Sequence, residues 1–242
     1  RRPPRSTLFP YTTLFRSAML KVTGIEKSFK RKKVLAGASF EAEPGTCVGI
    51  VGGNGCGKTT LLSIVAGAAR PDGGSVSFDG HEAVGHPRVY EKYAAYVPQE
   101  NPMMPELSAR DNLLLWYRGD RRRMERDLEE GAARMMGVGQ FLRTPAGKLS
   151  GGQKKRLTIA GALAGHAPVL VMDEPGAALD LACKEDIKAY LGTYMEQGGT
   201  VILTSHEMAE LSLCHRIYVL KEGRLAEIPA AETAAQLMGY FS

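Results

Sequence analysis

Short apolar runs separated by turn residues, and longer helical patterns between them, make up the chain from residue 19 onward. Between residues 19 and 51, the runs LKVTGI, ASFEAE and TCVGIV have the length and pattern of short strands. The last run leads through GGNGCGKTT into the apolar stretch LLSIVAGAA, which predicts a strand, a glycine-rich loop and a helix in succession. The runs SVSFDG and YAAYVPQ predict two further strands.

From residue 101 to about 150 the pattern becomes that of a helical insert. Ser108 is a predicted helix N-cap before the apolar run NLLLW. The letters RRRMERDLEEGAARMM predict a charged amphipathic helix. Opposite charges lie four residues apart at three places in it: Arg121 and Glu125, Arg123 and Asp127, and Arg126 and Glu130. A solvated helix face is the commoner meaning of such a run, and a nucleic-acid patch is the alternative.

Helices and strands alternate in the rest of the chain. We predict helices over Gly151–Gly165 and Ala182–Glu196, and a short last helix that ends in QLMGYF. Strands are predicted at VLVM, VILTS, IYVLKEG and RLAEI. Such alternation indicates an α/β fold, with a mainly parallel sheet and helices on both of its faces.

The composition is that of a globular protein, with 44% hydrophobic and 24% charged residues among 242. No stretch approaches the roughly 18 apolar residues of a membrane-spanning helix, so we expect no direct membrane insertion. Any membrane role then requires a partner. The four cysteines lack CxxC spacing, which argues against a zinc site or a disulfide framework and favours a reducing cytosol.

Residues 1–17, RRPPRSTLFPYTTLFRS, carry four arginines and no acidic residue. The part from Leu8 to Ser17 back-translates to CTC TTT CCC TAC ACG ACG CTC TTC CGA TCT, a widely used sequencing adapter. We therefore interpret the segment as an artefact or a disordered tail rather than a signal or transit peptide, because it lacks a continuous apolar core. Without its arginines, the 31 basic residues become 27 against 26 acidic ones. No nucleic-acid partner is then expected, and Met19 is the expected natural start of a domain covering residues 19–242.

The glycine-rich loop fits G-x-x-x-x-G-K-[ST], the pattern of a phosphate-binding loop. Its residues are Gly52, Gly53, Asn54, Gly55, Cys56, Gly57, Lys58 and Thr59, followed by Thr60. The glycines let backbone N–H groups turn toward phosphate oxygens, and the helix N-terminus adds partial positive charge. Lys58 is predicted to reach the β- and γ-phosphates and the Thr59 hydroxyl to bind Mg²⁺. A dinucleotide-binding loop is a poor alternative, because its third glycine would fall on position 58.

The apolar run VLVM ends in the adjacent carboxylates of Asp173 and Glu174. Strands of a parallel sheet end beside the phosphate loop, so Asp173 is placed to hold the metal through water. Glu174 can then polarise the attacking water, a role worth about 10²–10⁴-fold in rate. Alone, the pair could be a helix N-cap. Together with a phosphate loop, the catalytic interpretation is favoured.

The segment LSGGQ, from Leu149 to Gln153, narrows the class of NTPase. Alone, Ser150 would be a routine N-cap and the two glycines a flexible helix start. Together with the phosphate loop and the DEP strand, the segment resembles the signature of ATP-binding-cassette (ABC) ATPases, and the resemblance covers Met19 to about Glu227. It implies a P-loop NTPase fold with an antiparallel β subdomain and a helical subdomain at about 101–150. It also implies ATP and Mg²⁺ as cofactors.

The other family positions follow in the expected order. Gln99, in YVPQE, resembles the Q-loop glutamine, which touches Mg²⁺ and reports nucleotide state to the helical subdomain. Asp180, in AALD, matches the D-loop aspartate. His206, in TSHE, matches the switch histidine that contacts the γ-phosphate, although an isolated histidine could be a satisfied core residue. Phe29 occupies the place of the aromatic that stacks on adenine, with a core aromatic as the alternative. The expected catalytic set is Lys58, Gln99, Glu174 and His206.

The family arrangement places each nucleotide between two subunits arranged head to tail. The phosphate loop of one subunit faces Ser150, Gly151, Gly152 and Gln153 of the other, so a second ATP-binding subunit, identical or related, is expected. Two positions depart from the family pattern. Ala177 stands where the D-loop usually has serine, and Cys56 places a thiol inside the phosphate loop.

The resemblance implies the ATPase subunit of an ABC transporter. Such a subunit is cytoplasmic and is held at the inner face of the cell membrane by a transmembrane partner. The apolar stretch Met103–Trp116 is where family members receive a helix of that partner, and the brief C-terminal part is more like small exporter-type (ABC-2-like) subunits. The alternative is a soluble ABC ATPase that serves assembly or nucleic-acid metabolism. The near-neutral charge disfavours nucleic acid, and a membrane protein encoded in the adjacent reading frame would favour transport.

Overall fold

The computed structural model describes residues 17–177 and 179–228, so the predicted last helix and residues 1–16 of the N-terminal segment lie outside it. The described strands are β1 (Leu20–Phe29), β2 (Lys32–Ala42), β3 (Cys47–Val51), β4 (Gly73–Phe78), β5 (His81–Glu82), β6 (Ala94–Val97), β7 (Val169–Asp173), β8 (Thr200–Thr204), β9 (Arg216–Lys221) and β10 (Arg224–Ile228). The described α-helices are α1 (Lys58–Val65), α2 (Pro87–Tyr93), α3 (Ala109–Trp116), α4 (Arg121–Glu130), α5 (Ala132–Met135), α6 (Gly151–Ala162), α7 (Leu181–Glu196) and α8 (Met208–Leu211). Three 3₁₀ turns lie at Val138–Phe141, Ala146–Lys148 and Leu163–Gly165.

A six-stranded sheet in the order β10-β9-β3-β8-β7-β6 forms the centre of the molecule. The strands from β9 to β6 are parallel, and β10 is antiparallel to β9. Every residue of β3, β7 and β8 is buried, as expected for parallel strands covered on both faces. The α/β fold predicted from the alternation of helices and strands is confirmed.

The antiparallel sheet implied by the family resemblance is also present, with the strand order β2-β1-β4-β5. Its apolar side chains, such as Leu20 and Phe78, share one hydrophobic core with Leu61 of α1 and with Val169 and Val171 of β7. This sheet and α1 therefore cover one face of the central sheet.

The helices between residues 109 and 196 cover the opposite face. Met124 of α4 and Leu157 of α6 belong to a second core, together with Leu170 and Met172 of β7. Successive residues of β7 thus alternate between the two cores, as the period of a strand requires. Ser108 caps α3 as predicted, because its hydroxyl accepts a hydrogen bond from Asp111 N at 3.1 Å.

The amphipathic helix predicted for RRRMERDLEEGAARMM is wrong in one respect, because it is broken at Gly131 into α4 and α5. Gly131 has an extended backbone with φ −105° and ψ −154°. The cause is Asp127, a buried residue whose carboxylate accepts hydrogen bonds from Ala132 N at 3.2 Å and Ala133 N at 3.0 Å. A side chain at position 131 would displace that carboxylate from its hydrogen bonds, which favours glycine there.

The charge pairing predicted along α4 also differs from the structure. Asp127 points into the core and accepts a hydrogen bond from the Tyr117 hydroxyl rather than pairing with Arg123. Glu125 pairs with Arg110 of α3 at 2.8 Å rather than with Arg121. Helix α4 is therefore held by the helices around it and not by ion pairs along its own exposed face.

Two helices, α2 and α8, were not predicted. They have seven and four residues, too few for a helical period of apolar positions to show. In the described part of the chain, no helix is both long and apolar enough to cross a membrane.

Candidate active site

The loop between β3 and α1 has the backbone that a phosphate-binding loop requires. Gly52, Gly55 and Gly57 have positive φ angles of 151°, 73° and 112°. A side chain at Gly57 would lie 2.7 Å from Val34 Cγ1, and one at Gly52 would lie 2.6 Å from Leu220 O. Glycine is therefore required at both positions by the close approach of neighbouring segments as well as by the turn itself.

An open cleft lies in front of this loop. Its lining consists of Phe29, Val34, Asn54, Gly55, Gly57, Lys58, Thr59, Thr60, Gln99, Glu174 and His206. All of these except Val34 are residues that the sequence singled out. Gly52, Gly53 and Cys56 belong to the same loop without lining the cleft. Phe29 is 53% exposed, so the core interpretation of this aromatic is wrong.

Lys58 begins α1 at the base of the cleft. The residue is buried, and its ammonium donates hydrogen bonds to the carbonyls of Gly52 at 2.8 Å and Gly53 at 3.2 Å. Burial of an ammonium is costly unless its protons are satisfied. The cation is thus held against the loop backbone by the same residues that shape the turn.

Asp173 is the last residue of β7 and is only 1% exposed. Its Oδ1 accepts a hydrogen bond from Thr204 Oγ1 at 2.7 Å. Its Oδ2 is buried and has no hydrogen-bond partner among the described residues. A buried carboxylate oxygen left unsatisfied is costly, so this atom is suited to a cation or to water bound to one.

Glu174, Gln99 and His206 meet at the end of three neighbouring strands. Gln99 Nε2 donates to Glu174 Oε2 at 3.0 Å, and His206 Nε2 lies 3.3 Å from Glu174 Oε1. Gln99 follows β6, Glu174 follows β7 and His206 follows β8. These strands are parallel neighbours, which brings their carboxyl ends to one edge of the sheet. Three residues far apart in sequence therefore form one cluster beside the phosphate loop.

The LSGGQ residues form the start of α6 and do not line the cleft. Ser150 and Gln153 make a capping box, in which Ser150 Oγ accepts from Gln153 N at 3.2 Å and Gln153 Oε1 accepts from Ser150 N at 3.0 Å. Ser150 is thus an N-cap within its own chain. Its expected contact with the nucleotide of a second subunit stays a prediction. A methyl group at Gly152 would lie 3.9 Å from Asp180 Oδ2, so Asp180 lies beside this helix start. We call Ser150, Gly151, Gly152, Gln153 and Asp180 the signature patch.

Two buried residues near the cleft were not found from the sequence. Thr204 is fully buried, and its hydroxyl accepts from Glu174 N at 3.0 Å as well as donating to Asp173. Lys155 of α6 is 2% exposed and donates to the carbonyls of Pro98 and Gln99. Burial lowers the pKa of Lys155, and nearby carboxylates, Asp173 foremost, act in the opposite direction. Neither residue belongs to a spacing pattern that marks it in the sequence.

Comparison with known proteins identifies the family. A family model described as ABC transporter matches residues 35–177. Nod factor export ATP-binding protein I of Burkholderia thailandensis is 37% identical over 203 residues, which cover 83% of this chain and 67% of that protein. The protein of the same name from Paraburkholderia xenovorans is 36% identical over 225 residues, which cover 91% of this chain and 74% of that protein.

Solved structures agree with this assignment. A dimeric ATP-binding cassette in a post-hydrolysis state, bound to ADP and Pi, matches with a TM-score of 0.78 and 27% identity, covering 88% of this chain and 100% of that one. A bacterial Atm1-family ABC exporter with ATP bound matches with a TM-score of 0.75 and 25% identity, covering 94% of this chain and 40% of that one. The sequence matches, the shared fold and the phosphate-loop cleft together show that this chain belongs to the ABC transporter family, as a subunit that binds and hydrolyses ATP.

Proposed function

We propose that two subunits complete each nucleotide site, one supplying the cleft and the other supplying the signature patch. The division of the predicted site residues into these two groups on one chain is the observation that carries the proposal. The start of α6 presents backbone N–H groups and a partial positive charge, which suit the γ-phosphate. When two chains close on ATP, the cleft of one and the signature patch of the other together surround the γ-phosphate. Hydrolysis then allows the two chains to separate.

Within the cleft, each residue has a proposed role that follows from its chemistry. The loop N–H groups and Lys58 bind the phosphates, and Phe29 stacks on the adenine. Glu174 accepts the proton of the attacking water, because its carboxylate lines the cleft beside the phosphate loop. His206 and Gln99 hold that carboxylate from either side and orient it toward the γ-phosphate.

The residues beside the phosphate loop fit Mg²⁺, which prefers oxygen ligands. Asp173 offers its unpaired Oδ2, and Thr59 offers a hydroxyl. The amide of Gln99 donates through its nitrogen to Glu174, which leaves its oxygen for the ion. When bound, Mg²⁺ supplies positive charge that offsets the negative charge of the phosphates.

The proposed partner is a separate transmembrane subunit, which is driven by the closure of the two ATP-binding chains. Met104 and Leu115 are 53% and 54% exposed, and both lie in the stretch predicted to receive a helix of that partner. Because relatives bear the name of export ATP-binding proteins, we propose an exporter as the complex. The chain then works at the inner face of the cell membrane, held there by its partner.

Mixing two inactive variants tests the shared site. Lys58→Ala disables the cleft of its own chain. Gly152→Asp adds a carboxylate that repels phosphate. Its Cβ would lie no closer than 3.4 Å to a neighbouring atom, an ordinary contact, so we expect this variant to fold. Each variant alone has no complete site. Half of the randomly mixed dimers have one complete site out of two, so we expect roughly a quarter of wild-type ATPase activity.

Steady-state ATPase rates of each variant and of the equimolar mixture are the measurement. Activity of the mixture above the mean of the two variants supports a shared site. A mixture no more active than its components, in a preparation whose wild type is dimeric and active, would show that the site lies within one chain.

A further inference from the structure

Helix α6 is attached to the segment that follows β6 through a buried ammonium. Lys155 Nζ donates to the carbonyls of Pro98 at 3.0 Å and Gln99 at 3.2 Å. The residue is only 2% exposed, so these carbonyls replace water for a charged group. Hydrogen bonds from charged donors are stronger than neutral ones, so this attachment is stronger than one made by two neutral groups.

A second contact joins the same two segments. The Thr158 hydroxyl lies 3.1 Å from Asn101 Oδ1 and 3.0 Å from the Lys154 carbonyl, so its one proton is shared between two acceptors, and Thr158 is 1% exposed. Positions 155 and 158 are three residues apart and lie on one face of α6. Residues 98–101 therefore contact one side of the helix at two places, of which the Lys155 ammonium is the stronger.

The two ends of this connection reach different nucleotide sites under the proposed function. At one end, Gln99 donates its amide to Glu174 inside the cleft of its own chain. At the other end, α6 begins with the signature patch, which serves the second subunit. Lys155 is about 7.5 Å along the helix axis from Ser150, a little more than one turn. Because this part of α6 is a single regular helix, a displacement of the Gln99 backbone also displaces the start of α6.

We propose that Lys155 is a positioning residue that couples the cleft of one subunit to the signature patch that the same subunit presents to its partner. The inference rests on the proposed shared site. Lys155 fixes the direction of the α6 N-terminus relative to the Gln99 backbone, so occupancy of one cleft biases how well the other cleft can be closed. Without the ammonium, the start of α6 is free to tilt, and the partner's ATP is held less well in the closed dimer.

The mixed dimer separates positioning of the signature patch by Lys155 from a local role of Lys155 at the cleft of its own chain. In a mixture of Lys58→Ala and Gly152→Asp chains, the complete site takes its cleft from the second variant and its signature patch from the first. Lys155→Met, which keeps the length and removes the donor, is placed only in the Lys58→Ala chain. We expect ATPase activity of the mixture to fall roughly ten- to a hundredfold, as for the loss of one net hydrogen bond to a charged group. The Gln99 and Glu174 of the working site are then unaltered.

Lys154→Met in the same chain is the matched control, since Lys154 is adjacent on α6 and half-buried, and we expect no change from it. Thr158→Val is a second, milder variant that removes the hydroxyl and with it the contacts to Asn101 and to the Lys154 carbonyl, and we expect a smaller loss in the same direction. Thermal denaturation checks that each chain is folded. If the Lys155→Met chain does not fold, the Thr158→Val chain is used for the test instead.

Unchanged activity with Lys155→Met or, should that chain not fold, with Thr158→Val in the signature-supplying chain overturns the proposal. A loss seen only when the substitution is in the cleft-supplying chain overturns it as well, because Lys155 then serves only its own Gln99. If the mixture is inactive even with Lys155 intact, the shared site itself fails, and that result is recognised before any Lys155 variant is made.

Discussion

At the scale of single residues, one buried threonine organises the two adjacent carboxylates. Thr204 donates to Asp173 and accepts from the backbone N–H of Glu174. This second bond helps to hold Glu174 at a φ of 47°, a left-handed conformation that costs a non-glycine residue roughly 1–3 kcal/mol. This backbone conformation turns the Glu174 carboxylate away from that of Asp173. The Asp173 carboxylate contacts Thr204, and the Glu174 carboxylate contacts Gln99 and His206.

Replacement of Glu174 tests its role as the base. We expect Glu174→Gln to bind ATP with near wild-type affinity and to hydrolyse it at least about tenfold more slowly, because the amide cannot accept the proton of water. Binding by calorimetry and turnover by phosphate release are the measurements. Glu185→Gln, at an exposed position on α7, is the control and should leave both unchanged. Near wild-type turnover of Glu174→Gln in a dimeric preparation would refute the assignment.

At the scale of elements, the parallel order of β6, β7 and β8 builds the cluster, and the break between α4 and α5 shapes the helical part. The parallel strands bring Gln99, Glu174 and His206 to one edge without any local sequence link between them. The break depends on Asp127, which supplies acceptors to two N–H groups of α5 and to a tyrosine hydroxyl. The helical part thus depends on a buried polar residue as well as on its apolar core.

Removal of that carboxylate should destabilise the fold without touching the chemistry. We expect Asp127→Ala to lower the free energy of unfolding by about 2–4 kcal/mol, because three buried donors lose their acceptor. A fall in melting temperature of roughly 5–12 °C follows for a chain of this size. Glu129→Ala, at an exposed position on the same helix, should change stability by no more than about 0.5 kcal/mol. Equal melting temperatures for the two variants would contradict the capping role of Asp127.

At the scale of the whole molecule, the central sheet separates two hydrophobic cores, and the cleft lies at its edge. One core joins the antiparallel sheet to α1, and the other joins the helical part to α6 and α7. The cleft receives its phosphate loop from the first side and Gln99 from the segment tied to α6 on the second. Relative movement of the two sides would therefore change the distance between the phosphate loop and Gln99 in the cleft.

The arginine-rich N-terminal segment should contribute nothing to this arrangement. The described contacts begin at Ala18 and Met19, so deletion of residues 1–17 leaves them in place. We expect the shortened chain to keep its melting temperature and ATPase activity, and to bind anionic resins and nucleic acids less, because four positive charges are lost. A large fall in melting temperature or in turnover would show that the segment is part of the protein.

The sequence alone determined the features whose chemistry lies within one contiguous segment. A phosphate loop needs glycines and a lysine at set spacing, and the acidic strand end and LSGGQ are equally local, so Lys58, Asp173 and Ser150 could be named as candidates without coordinates. The same holds for the central strands β3, β7 and β8, which are mostly apolar and buried throughout because both faces of the sheet are covered there. Phe29 could be placed by resemblance only; its exposure excludes the core interpretation, and stacking on adenine stays a prediction.

Tertiary structure alone decided which polar residues are buried. Lys154, Lys155 and Arg156 form one charged run in the sequence, but successive residues of a helix point about 100° apart, so only Lys155 faces the segment after β6. Asp127 likewise looks like one member of a solvated charge pattern until its helix packs against α3 and α5. Burial depends on which distant surface a helix face meets, and that information is spread over the whole chain rather than held in the local pattern.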